Sequence, residues 1–74
     1  MARLAVISAR DDGQAFERDG WRLVRQRGSH TIRTKPGIAS LLSIPNHREL
    51  KPGTLRGLIR SSGLDVAKFW ELLF

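Results

Sequence analysis

The run from Trp21 to Thr34, two extended segments broken by Gly28-Ser29, constrains this chain more than any other feature. From Trp21 to Arg27 the residues alternate, with Trp21, Leu23 and Arg25 on one face and Arg22, Val24 and Gln26 on the other. Rich in Trp, Leu and Val, this segment predicts a strand. Gly28 lets the chain turn sharply, and His30 to Thr34 follows as a second strand with Ile32 as its apolar residue. A histidine thus stands just past a tight turn, beside a strand loaded with arginine. Histidine's unperturbed pKa lies nearest neutrality, so it can take and give a proton in one cycle. Arginine holds a phosphodiester by charge and by paired N–H donors. Proton transfer on a phosphate-attracting surface is what cleavage of RNA requires.

The flanking elements follow from their own signals. Ser8 caps a first helix that runs through Gln14 to Arg18, with Asp11 and Asp12 near its positive end. Gly13 weakens that helix by roughly 1 kcal/mol relative to Ala, and the inward stripe shrinks to Ala15 and Phe16. Gly20 ends it as a left-handed cap. Lys35-Pro36-Gly37 marks a turn, and Ile38 to Ile44 reads as a third strand that Pro45-Asn46 closes. Pro52 suits a first helical turn, and Leu55, Leu58 and Ile59 form a stripe that Gly63 stops. Arg56 and Arg60, four apart, share another face of that helix. Asp65 caps a last helix in which Val66, Phe69, Trp70 and Leu73 repeat at helical spacing. The predicted order is α-β-β-β-α-α, an α+β domain over residues 1–74 with an antiparallel three-stranded sheet.

Seventy-four residues lie near the lower limit for a chain held together by a hydrophobic core. With no cysteine, neither a disulfide nor a thiolate metal site can staple it. No apolar run approaches the roughly 20 residues that span a bilayer, and Leu4 to Ile7 is too short for a signal-peptide core. The expectation is a soluble cytoplasmic protein without a membrane partner. Of the net charge of +6, the stretch from Arg18 to Arg60 carries more than its share, with ten basic residues against two acidic. A basic centre between near-neutral ends is a footprint for a polyanion.

His30 is the leading proton-transfer candidate, although a lone histidine is as readily structural or merely exposed. Arg25, Arg27, Arg33 and Lys35, with Gly28 and Ser29 of the turn, are the candidate RNA-binding residues. No other residue turns as freely as this glycine, which can also bring backbone amides towards a phosphate. His47 lies in a loop after the third strand and reads first as exposed. Two histidines without cysteine fall short of the usual protein ligand set for a metal, so no metal or cofactor is expected. Trp21 can stack a base, but a domain this small needs its largest apolar side chains inside. Trp70 is placed in the core.

Further blocks fall in a recognisable order: Phe16-Glu17-Arg18-Asp19-Gly20-Trp21, Leu23-Val24-Arg25-Gln26-Arg27-Gly28-Ser29-His30, Ile44-Pro45, His47, Leu50-Lys51-Pro52-Gly53-Thr54-Leu55, Leu58-Ile59-Arg60 and Ser62-Gly63-Leu64. On these blocks the chain resembles the HicA family of mRNA interferase toxins, the resemblance covering roughly residues 14–74. The resemblance implies a double-stranded-RNA-binding-domain-like fold with an additional C-terminal helix. It implies a metal-independent endoribonuclease, with His30 catalytic. It also implies a HicB-type antitoxin partner, the two forming a hetero-oligomer. Two departures stand out. Thr31 occupies a position where many relatives carry a second histidine, and Asp12-Gly13 replaces apolar residues. These departures keep open a non-catalytic RNA-binding module, and a basic DNA-binding regulator is a weaker third reading because no helix-turn-helix pattern is visible.

Overall fold

A computed structural model describes residues 7–73. Its elements are α1 (Ala9–Arg18), β1 (Arg22–Arg27), β2 (His30–Thr34), β3 (Leu42–Pro45), α2 (Pro52–Ser62) and α3 (Val66–Leu73). The strands form one antiparallel sheet in the order β1-β2-β3. The α+β class and the element order are those expected. Most of the Leu4 to Ile7 run lies outside the described residues; Ile7 itself bridges to Leu50 and is buried. No helix among the described residues is long and apolar enough to cross a membrane.

The local signals act at the residues that carry them. Ser8 Oγ accepts the Asp11 N–H at 3.1 Å, satisfying a donor that α1 leaves open. Gly20 takes a φ of 98° just past α1, and Gly63 takes 82° after α2, a conformation that other residues reach only with strain. Asp65 Oδ1 accepts from the Lys68 N–H at 2.7 Å at the start of α3.

The helices cover one face of the sheet. α1 and α2 lie over β3, and α3 packs against α1. Phe16 and Phe69 meet there with ring centroids 5.2 Å apart. Trp21, Phe16, Phe69, Leu42, Ile44 and Leu55 are fully buried among them. Each such side chain contributes on the order of 1.5–3 kcal/mol through its removal from water. Trp21 is therefore core, while Trp70 packs half-buried against it. Val66, expected in the apolar stripe of α3, is 43% exposed.

The third strand is shorter than predicted. Pro36 and Gly37 reverse the chain, with the Ile38 N–H bonded to the Lys35 carbonyl at 3.1 Å, and pairing begins only where Leu42 meets Arg33. Ile38 and Leu41, assigned to the strand for their apolar character, lie exposed before it. The first strand also departs from simple alternation. Leu23 stands opposite Arg33 and Arg25 opposite Ile32, so a bulge at Val24 shifts the register. Residues paired across a sheet share a face, and neighbours on β2 point to opposite faces. Leu23 and Arg25 thus lie on opposite faces, not on the same one.

Candidate nucleic-acid interface

The bulge decides what the open face of the sheet displays. After it, Arg25 and Arg27 point to the side away from the helices, where β2 presents His30 and Ile32. Antiparallel pairing then forms rows across the face. Arg27, His30 and Pro45 make one row; Arg25, Ile32 and Ser43 make the next. Arg25, Arg27, His30, Ile32 and Ser43, with Leu41, line an open groove of about 460 Å³. Among the described residues, no carboxylate lines the groove.

The turn that sets His30 in place is built from both sides. Arg27 pairs with His30, leaving Gly28 and Ser29 as a two-residue loop. Gly28 has a φ of 59°, the left-handed setting that such loops demand of their first residue. The Ser29 carbonyl accepts the Asn46 N–H at 2.6 Å, tying the loop to the chain beyond β3. Ser29 thus contributes its backbone to the turn. Gly28 has open space around its α-carbon, so no neighbouring protein atom demands a glycine there and the turn conformation does.

The remaining candidates are elsewhere. Arg33 points to the helix side of the sheet, 8% exposed, with its guanidinium bonded to the Glu17 carboxylate at 2.5 Å. It belongs to the packing between β2 and α1 and, unlike Arg25 and Arg27 of the expected RNA-binding set, does not line the groove. Lys35 pairs with Asp19 at 3.1 Å and holds the end of α1 to the end of β2. His47 is exposed, and its carbonyl accepts the Ala9 N–H at 2.9 Å; it does not line the groove.

A family model described as "HicA toxin of bacterial toxin-antitoxin" matches residues 11–64. The chain belongs to the HicA toxin family. No curated protein matches the chain. Membership makes this chain a toxin of a toxin–antitoxin pair and implies an antitoxin partner.

A buried polar cluster lies where α1 packs on β2. α1 runs unbroken through Asp12 and Gly13, and both are buried. Asp12 is fully buried, and neither of its carboxyl oxygens has a hydrogen-bond partner among the described residues. Burial pushes its carboxyl from 3.8 up to about 7, against the opposing pull of the Arg33 guanidinium. A β-carbon on Gly13 would stand 2.7 Å from the Arg33 terminal nitrogen, so the missing side chain is the space the guanidinium fills. Asp12, Gly13 and Arg33 form one unit. The signal available in the sequence was the charge of Arg33 at an inward β2 position, legible only with the strand's facing known.

Proposed function

We propose that this HicA-family toxin is an endoribonuclease whose proton-transfer group is His30 and whose phosphate-binding groups are Arg25 and Arg27. The observation that carries this reading is the meeting of the three side chains in one groove on the open face of the sheet. In RNA, the ribose 2′-oxygen attacks the adjacent phosphorus and the bond from phosphorus to the 5′-oxygen breaks. The products are a 2′,3′-cyclic phosphate and a free 5′-hydroxyl. His30 either removes the 2′-hydroxyl proton or delivers one to the departing 5′-oxygen, and water in the open groove fills the other role. Such help is worth roughly 10²–10⁴-fold in rate. The two arginines neutralise charge gathering on the phosphoryl oxygens. This route draws on the 2′-hydroxyl and on side chains alone, so it is metal-independent, and DNA resists it.

Supporting the substrate is the basic centre of the chain, ten cationic residues against two anionic between Arg18 and Arg60. The same charge suits a HicB-type antitoxin that lays an acidic surface over the groove and masks it. A second reading, RNA binding without cleavage, rests on the groove holding, among the described residues, a single histidine and no carboxylate. Incubation of the purified protein with RNA and with matched DNA in EDTA separates the two. Cleavage of RNA alone, lost in His30→Ala while the circular dichroism spectrum is unchanged, is the expected result. Tight binding of RNA that stays intact would establish the second reading, and a His30→Ala protein cutting at the wild-type rate would remove His30 from the mechanism.

A further inference from the structure

The groove is larger than a phosphate needs, and two of its six lining residues, Ile32 and Leu41, are apolar. Beside Arg27 and His30, the next row across the sheet places Ile32 at its centre and Ser43 at its β3 end. Leu41, 54% exposed on the loop before β3, adds a second apolar wall. Neighbouring rows on one face are two residues apart, about 7 Å by the rise of a strand. That is the reach from a phosphate across its ribose to the attached base. A volume of about 460 Å³, with apolar walls and a few placed polar groups, is also in the range that holds a small organic ligand.

We infer that Ile32 and Leu41 form a seat for one unpaired nucleobase of the RNA whose phosphate lies on Arg25 and Arg27. The base lays its flat apolar face on the two side chains, and the Ser43 hydroxyl meets its polar edge. Unpaired bases offer such faces, whereas bases in a duplex are stacked on their neighbours and out of reach. Seating a base also fixes the ribose next to it, which helps hold the 2′-oxygen in line with the phosphorus and the leaving oxygen. Leu41 and Ile32 are therefore positioning residues. The open face then selects single-stranded RNA, although the fold resembles domains that read duplexes.

This inference rests on the endoribonuclease reading for its substrate, but its test is binding alone. The probes are a short single-stranded RNA made uncleavable by 2′-methoxy groups and the same ribose-phosphate chain without bases. Affinity is measured by fluorescence anisotropy for the wild type, Leu41→Ala and Arg25→Gln. Leu41→Ala is expected to weaken binding of the base-bearing probe about five-fold, because part of a leucine's apolar surface is no longer covered by the base. It should leave affinity for the abasic chain unchanged, which also shows that the variant is folded. Arg25→Gln should weaken binding of both probes. Equal weakening on the two probes, or none on either, would overturn the base seat, as would failure of the wild type to prefer the base-bearing probe. If the base seat holds while RNA is never cut, only the endoribonuclease reading fails.

Discussion

At the scale of single residues, Asp12, Gly13 and Arg33 explain why a helix with a buried acid and a glycine persists. Arg33 reaches under α1 to Glu17, and Gly13 leaves room for its guanidinium. Restoring apolar bulk at 13 alone therefore does not stabilise the protein. Gly13→Ile should lower the urea midpoint, because the β-carbon meets the buried guanidinium. In an Asp12→Val, Arg33→Leu background, Gly13→Ala should instead add about 1 kcal/mol, the helix-propensity difference. An equal effect of Gly13→Ala in the wild type and in this background would show that the residues are uncoupled. The acid makes a second prediction. Its folded-state value of about 7 lies above 3.8, so the folded protein holds a proton that the unfolded chain releases. The stabilisation is complete below 3.8 and is lost as pH rises through about 7. The slope is at most about 1.4 kcal/mol per pH unit. Chemical denaturation across the interval from 3.8 to about 7 should show this decline in the wild type and not in Asp12→Asn.

At the scale of elements, the hairpin β1-β2 carries both the interface and its protection. All six residues of β1 are exposed, and Leu23 and Val24 are each 53% so. Strand edges of this kind invite pairing with other chains, and interspersed charge opposes it. Arg22, Arg25 and Arg27 supply that charge while two of them face the groove. Replacing Arg25 and Arg27 with glutamine should weaken RNA binding and flatten its dependence on salt. Every phosphate that is no longer neutralised takes about 0.7 from the slope of log affinity against log salt for a single strand. An unchanged slope in a salt titration would mean that these arginines are only solvated.

At the scale of the whole molecule, the helices crowd one face of the sheet and leave the other to the groove. The core consists of a few large side chains, without cross-links, under a surface of net charge +6. A partner that binds only the folded toxin stabilises it by mass action. At a free antitoxin concentration about 100 times its Kd, the gain is about 2.7 kcal/mol. For a domain of this size that corresponds to a rise in Tm on the order of 10–20 °C. Thermal melts with and without antitoxin should show the rise, and it should shrink in high salt if charge holds the pair together. An unchanged Tm at saturating antitoxin would mean that binding is not coupled to folding.

The sequence by itself determined the elements whose signals are local. Ser8, Gly20, Gly28, Pro52, Gly63 and Asp65 act on their immediate neighbours, so the helix ends and the turn before His30 were legible. The HicA blocks were legible too, since they are strings of adjacent residues. Which face each side chain takes was decided only by pairing across space. The bulge at Val24 moved Arg25 to the open face, and the strand register sent Arg33 inward to Asp12 and Glu17. The turn at Pro36-Gly37 left Leu41 outside the strand and beside the groove. Register depends on pairing between residues distant in the chain, and a one-residue shift reverses every facing beyond it.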